Sequence, residues 1–467
     1  MIRADDNVRS SVGAGARLRY WRDEWLAWNG AVYRTVSSGD LEARVNRSIK
    51  NEFNRINLEQ LELVKAKLAL GQLSANAMPP TARKVTSNLV HNTLKALAGE
   101  VLLPASIEQP AWLIAPEPFP AGEMLATPNG LVHLVSLIEG KPCLLPPTPA
   151  FFSGNVMAYG FDPHASAPAR WLAFLDSLWP DDPQNIEIIQ EWFGLCLLPD
   201  TSFQKILFLV GPPRSGKGTI ERILTALVGA GNVAGPPLAS LGTDFGLEPL
   251  LGKTAAFIPD ARLSGRTDNA IVVERLLAIS GEDVLTVNRK HRLPVTTKMT
   301  ARLAILSNEL PRLTDASGAL CSRMLLVKFT RSWLGREDRH LTAALLRELP
   351  GILLWAIAGW QRLRARGQFV QPQTGLEMLR ELENLASPIN AFISDCCHVG
   401  PEHETVIKDL YDGWKAWCAE KGTVHLANQQ MFCKDLLAVL PNLHRSKPRG
   451  NNGKPMGVYR GIALTTS

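Results

Sequence analysis

The chain has 467 residues, 46% of them hydrophobic and 20% charged, and a formal net charge of +6. This is the composition of a soluble globular protein with core enough for about three domains, and it excludes a disulfide scaffold. The seven cysteines, at 143, 196, 321, 396, 397, 418 and 433, contain no CxxC pair, which speaks against a zinc ribbon and for reduced thiols in a cytoplasmic protein.

In chain order, the start MIRADDNVRSS has no apolar stretch and does not read as a signal peptide. A Trp/Tyr-rich segment follows, with Trp21, Trp25, Trp28 and Tyr33, then helical patterning from Leu41 to Leu70 and a second helix over Thr86 to Gly99. Residues 116–169 are rich in Pro and Gly and predict short strands and turns. Ala167 to Pro199 reads as helical, with Ile186, Ile189, Phe193 and Leu197 on one apolar face.

Residues 206–219 read ILFLVGPPRSGKGT. The apolar run Ile206 to Val210 suits a strand buried on both faces. Gly211, Pro212, Pro213, Arg214, Ser215 and Gly216 form a loop in which glycines permit sharp turns and close approach to a ligand. Ile220, Ile223, Leu224 and Leu227 then mark a helix whose first amides favour anions. Lys217 is placed to reach the β- and γ-phosphates of a nucleotide. One position departs from the usual pattern. The residue after the lysine is normally Ser or Thr, a magnesium ligand, but here Gly218 stands there and Thr219 comes one place later.

From Phe203 to about Ala365, strands and helices alternate, predicting a largely parallel sheet. Within it, AAFIPD is an apolar strand ending in the carboxylate Asp260, a candidate metal ligand or water activator. Val284–Asn288 and Val295–Met299 read as strands around the turn RKHRLP. The strand Arg302–Leu306 ends in Ser307-Asn308, where Asn308 suits a polar sensor of the γ-phosphate. Arg323 precedes the strand Met324–Phe329 and has the fork of donors that phosphate oxygens accept. Between Leu285 and Ser307 lie five Lys or Arg and no acid. GILLWAIAGW at 351–360 is too short to span a bilayer and predicts no membrane role.

The final segment predicts a helix over His403 to Lys421, a second over Asn428 to Leu440, and two basic strands around a Gly/Asn turn. From Pro441 onward there are five more basic residues and no acid. Helices followed by a basic hairpin suggest a winged helix, with Arg445, Lys447 and Arg449 against DNA.

The ordered set GPPRSGKGT, FIPDARL, SGEDVLTVNRKHR, ILSNELPRL and SRMLLVKF resembles the superfamily 3 helicases, and most closely the helicase part of phage and plasmid primase-helicases. The Trp-rich start RYWRDEWLAWNGAVYR and the turn Pro128-Asn129-Gly130 fit the same family. The resemblance implies an α/β, P-loop AAA+-like ATPase core (170–385) between an N-terminal mainly helical and strand-rich domain (1–169) and a winged-helix domain (386–467). It further implies an ATP- and Mg2+-dependent ring, usually a homo-hexamer, moving along single-stranded or forked DNA. By position, Lys217 and Thr219 would bind nucleotide and magnesium, Asp260 would be the Walker B acid, Asn308 the sensor and Arg323 a finger into the adjacent subunit. Lys290, flanked by Arg289 and Arg292, would contact DNA in the pore. No acid–x–acid strand or cysteine cluster marks a primase domain, so priming would fall to a separate partner. Two rivals stand beside this reading: a nucleotide kinase, prompted by GKGT, and an ATP-binding initiator without unwinding activity.

Overall fold

The computed structural model describes residues 16–74, 78–259, 269–311, 318–386, 388–420, 428–448 and 456–465. The chain divides into two compact units, Met1–Phe161 and Asp162–Ser467.

In the first unit the Trp-rich start is an antiparallel meander of β1 (Leu18–Trp21), β2 (Glu24–Trp28) and β3 (Tyr33–Val36). Trp25, Leu26 and Tyr33 turn inward, and the Tyr33 hydroxyl donates to the Pro149 carbonyl at 2.7 Å. Helix α1 (Ser38–Ala69) begins where the Ser37 hydroxyl accepts from the Asp40 amide, and α2 (Ser87–Glu100) where Thr86 accepts from Leu89. The Pro/Gly-rich stretch supplies β4 (Ala111–Trp112), β5 (Met124–Thr127), β6 (Gly130–His133), α3 (Leu134–Ile138), β7 (Leu144–Leu145) and β8 (Phe151–Phe152). The Pro128-Asn129 turn joins β5 to β6. There the Asn129 side chain accepts from the Phe161 amide and donates to the Phe161 carbonyl, at 2.8 and 2.9 Å.

The second unit opens with α4 (Ala169–Leu178) and α5 (Pro183–Leu195), then β9 (Ile206–Val210), α6 (Lys217–Val228), β10 (Val233–Ala234), β11 (Ala255–Pro259) and α7 (Asn269–Ser280). A hairpin, β12 (Val284–Arg289) and β13 (Arg292–Lys298), precedes β14 (Arg302–Ser307), α8 (Ala319–Arg323) and β15 (Met324–Lys328). Then come α9 (Leu341–Leu346), α10 (Leu349–Arg366) and α11 (Gln373–Ala386). The parallel sheet has the order β10-β11-β14-β9-β15, so β9 and β14 are neighbours although nearly a hundred residues separate them. Ile206, Phe208 and Val210 meet the apolar residues of α7 and α11 on one face. Leu207 and Leu209 are equally buried on the other. Covering on both faces is why the strands read as continuous apolar runs.

At the edge, β15 does not present bare backbone. The Gln371 side chain accepts from the Leu326 amide and donates to the Leu326 carbonyl, at 3.2 and 2.6 Å, and the Trp179 indole donates to the Lys328 carbonyl at 2.7 Å.

The buried face of α5 differs from the expected stripe: Ile188, Ile189, Trp192 and Phe193 are buried, and Ile186 is only half-buried. The face turns toward α10 because Glu191, itself buried, accepts from Arg362 Nε at 2.7 Å and Arg366 Nη2 at 2.5 Å.

The C-terminal residues have a core of their own, built on Phe392, Leu410, Trp414, Phe432, Leu436 and Ile462. Its elements are α12 (Pro388–Cys396), β16 (Cys397–Val406), α13 (Ile407–Glu420), α14 (Gln429–Val439), β17 (His444–Ser446) and β18 (Val458–Leu464). The sequence reading began a helix at His403. Instead Cys397–Val406 is a strand, because β18 is the middle of the sheet β16-β18-β17 and its outer backbone groups need that partner. Among the described residues, no helix is long and apolar enough to cross a membrane.

Replacing Glu191 by alanine strips two guanidinium groups of their shared acceptor. Glu191→Ala should lower stability by about 2–4 kcal/mol, the lower end reflecting the partial exposure of both arginines. Urea unfolding of the intact chain checks this, and a midpoint unchanged from wild type would remove the clamp from the account of stability.

Candidate functional site

The strand–loop–helix at 206–228 lies at the carboxyl end of the sheet, where ligands of α/β folds bind. Two glycines shape it. A Cβ on Gly211 would lie 2.4 Å from the Phe329 carbonyl oxygen, so only glycine lets the loop pass β15's end. Gly216 has φ 99°, and its added Cβ would press on Leu178 and Phe174 of α4 at 3.0 and 3.3 Å. The outer side of the loop is pinned from the segment after β15: the Trp333 amide donates to the Arg214 carbonyl, and the Ser332 hydroxyl to that of Pro213.

Lys217, the first residue of α6, points back into this loop. Its ammonium donates to the carbonyls of Gly211 (2.6 Å) and Pro212 (2.9 Å), to Ser215 Oγ (3.2 Å) and to Asn308 Oδ1 (3.3 Å). Only 9% of the residue is exposed, and that burial draws its pKa below the ordinary lysine value. Asn308 is there because β14 pairs with β9, with Ser307 opposite Val210. Ser215, Lys217, Thr219 and Asn308 are thus brought together from two segments. The Thr219 hydroxyl accepts from Arg222 Nη2 at 3.1 Å.

These residues line a cavity of about 820 Å³, a volume that suits a ligand of nucleotide size. Its walls also carry Arg170 and Phe174 from α4, Arg222 from α6, and Trp333, Arg336 and Arg339 from the segment after β15. Sequence reading missed this ring. Its one linear signal is the cluster of Arg331, Arg336 and Arg339 directly after a core strand.

Other expected residues lie elsewhere. Arg323 sits at the amino end of β15, since Met324 pairs with Ile206 and Lys328 with Val210. It donates to the Leu277 carbonyl and, at 3.1 Å, to Ser280 Oγ, both on α7. The length of β9, about 16 Å at strand spacing, separates it from its own chain's Lys217. Asp260 lies outside the described residues; the strand leading to it ends at Pro259, paired with Leu306. The hairpin turn is shorter than RKHRLP, only Lys290 and His291, because Arg289 pairs with Arg292. Lys290, His291 and Arg292 are exposed. Arg289 is only 8% exposed, and its Nε donates to the Leu293 carbonyl at 2.8 Å, so it braces the hairpin from within. The Lys290 amide donates to Glu248 at 3.2 Å. Arg445, on β17, and Lys447, just beyond it, are exposed, and Arg449 lies outside the described residues.

A family of unknown function, DUF5906, matches residues 209–323, the stretch that runs from β9 to the end of α8. Among solved structures, the chain is similar to the apo C-terminal region of NrS-1. One such structure is 12% identical, with 95% of this chain and 96% of that one covered and a TM-score of 0.50. Another, the A form, is 12% identical over 95% and 97% with a TM-score of 0.46. At this identity the likeness speaks to fold alone.

The left-handed backbone at Gly216 and the contact with α4 yield a direct test. Gly216→Ala should cost about 1–3 kcal/mol in stability, read by thermal or urea unfolding. An alanine variant as stable as wild type would mean that the loop adopts another backbone path.

Proposed function

We propose that residues 206–219 are a P-loop and that the protein is an ATP-dependent DNA helicase of the superfamily 3 type, acting as an oligomeric ring in the replication of a mobile element. The observation that carries this reading is the convergence on Lys217: its ammonium is buried at the mouth of a nucleotide-sized cavity, held by loop carbonyls and by Asn308 from the neighbouring strand. An incoming triphosphate would offer stronger acceptors than those carbonyls, so Lys217 would turn to the β- and γ-phosphates as the first amides of α6 meet their oxygens. Burial draws the Lys217 pKa down, and the charge of the phosphates would oppose that shift by favouring the ammonium form. Asn308, already 3.3 Å from the ammonium, would then sense the γ-phosphate or orient the attacking water.

Magnesium would neutralise charge on the phosphates. Thr219 and Asp260 are the residues assigned to it, and Thr219 keeps a lone pair beyond the one that Arg222 engages. Arg323 would serve a neighbouring subunit, because it lies at the end of the sheet remote from its own loop. The exposed turn Lys290-His291 and Arg292 would track the phosphates of single-stranded DNA without reading bases, as a translocating motor requires. Arg289, braced inside the hairpin, would hold that turn rather than touch DNA. The C-terminal residues, with Arg445 and Lys447 exposed, would dock on duplex DNA as a winged helix. Priming would belong to a separate partner.

A forked-duplex unwinding assay with ATP and Mg2+ tests the whole reading. The wild type should unwind with turnover stimulated by single-stranded DNA, and Lys217→Ala should lose both, by at least a hundredfold in turnover (about 2.7 kcal/mol or more). Phosphate transfer to a nucleotide acceptor would instead establish the kinase, and ATP binding with no unwinding the initiator. Arg323→Ala should abolish hydrolysis and leave nucleotide affinity within about twofold; lost nucleotide binding in that variant would defeat its assignment to a neighbour. Lys290→Ala should weaken single-strand binding and reduce its salt dependence by about one counterion, and an unchanged salt slope would take the hairpin out of the DNA path.

A further inference from the structure

Position 218 lacks the hydroxyl residue that normally follows a P-loop lysine, and the structure shows what occupies the space instead. Among the described residues, and apart from its chain neighbours and the helix's own backbone, a Cβ built on Gly218 would come within 4 Å of the Arg222 Nη1 alone, at 3.3 Å. One turn further along α6, Arg222 lies on the same helix face as Gly218 and reaches back toward the amino end, as long helical side chains do. Its other terminal nitrogen donates to Thr219 Oγ1 at 3.1 Å. Among the described residues it forms no ion pair with a carboxylate, and it lines the same cavity as Lys217 and Asn308. The guanidinium's charge is felt by the neighbouring Glu221 carboxyl, and its hydrogen bond to the Thr219 hydroxyl holds it over the first turn of the helix, beside the amides to which phosphate oxygens would bind.

We infer that Arg222 is a phosphate-binding residue of this site. Glycine at 218 makes room for its guanidinium, which rests on Thr219 until a nucleoside triphosphate enters and then pairs with the phosphate oxygens, freeing the Thr219 hydroxyl. This rests on the nucleotide-site reading above and deepens it. The missing hydroxyl is then no defect of the loop: a fixed cation from the protein adds to the charge neutralisation that magnesium, held by Thr219 and Asp260, would provide. Substitutions at the two positions must then be coupled, because a side chain at 218 competes with the arginine for the same volume.

The test is MgATP affinity, by titration calorimetry, for the wild type, Arg222→Ala, Arg222→Lys, Gly218→Ser and the double variant Gly218→Ser/Arg222→Ala, with Lys217→Ala as reference. Arg222→Ala should bind about tenfold or more weakly, as loss of a charge-assisted contact demands. Arg222→Lys, which keeps the charge without the fork, should also bind more weakly than wild type. Gly218→Ser should weaken binding when Arg222 is present, because it crowds the guanidinium. It should tighten binding in the Arg222→Ala background, where it adds a hydroxyl at the position from which a P-loop usually reaches magnesium. Melting midpoints without nucleotide establish that each variant is folded, and the lysine variant keeps the test decisive should the alanine variant misfold.

Wild-type-like affinity in Arg222→Ala or in Arg222→Lys, or a serine effect of the same sign in both backgrounds, overturns the inference. If the wild type binds no MgATP, the nucleotide-site reading itself fails. If it binds, and Lys217→Ala alone abolishes binding, only the role of Arg222 falls.

Discussion

A lysine ammonium cannot be buried without acceptors, and the way Lys217 meets that requirement organises the second unit. Four oxygens surround it: two loop carbonyls, one serine hydroxyl and one amide from the next strand. The carbonyls are available because the loop folds tightly over the end of β9, which needs Gly211 against Phe329 and the left-handed Gly216 against α4. The amide is available because β14 lies beside β9. Sheet order, loop backbone and side-chain chemistry are thus consequences of one another, and none of them is specified by the loop residues alone.

That dependence explains how far the molecule could be read from its residues. The strand Ile206–Val210 and the helix after it were legible because a five-residue apolar run and a 3.6-residue period are local signals. The helices that begin at Ser38 and Ser87 were legible from their helical patterning, read from Leu41 and from Thr86, although the first starts three residues earlier than read. The short strands of residues 116–169 were legible from Pro and Gly. The strand Cys397–Val406 was not, since CHVGPEHETV has neither clean alternation nor apolar weight and is extended only because β18 needs a second neighbour. The burial of Arg289 was equally hidden: a basic residue beside a turn looks exposed until the hairpin register pairs it with Arg292 and sets its Nε on Leu293. Of the site itself, the loop, Lys217, Thr219 and Asn308 could be picked out in linear order. The arginines at 170, 222, 336 and 339 could not, because only the packing of α4 and the segment after β15 gathers them around one cavity.

The two ends of the sheet have different chemistry. At the carboxyl end, Lys217 and several arginines line an open cavity together with Glu337, which pairs with Arg214 at 3.4 Å, and Asp338. At the amino end, Arg323 lies against α7, and the Lys205 ammonium donates to the Ser322 carbonyl at 2.6 Å with its pKa lowered first by burial and then by Arg323.

The side-chain amide of Gln371 and the indole of Trp179 have a wider meaning for assembly. They engage outward-facing backbone groups at Leu326 and at Lys328, two residues apart, the positions where a sixth strand would hydrogen-bond. With these groups taken, a strand added from another copy would find the Leu326 amide and carbonyl and the Lys328 carbonyl already engaged. A second copy approaching along that flank would meet the Gln371 and Trp179 side chains before it met those backbone groups.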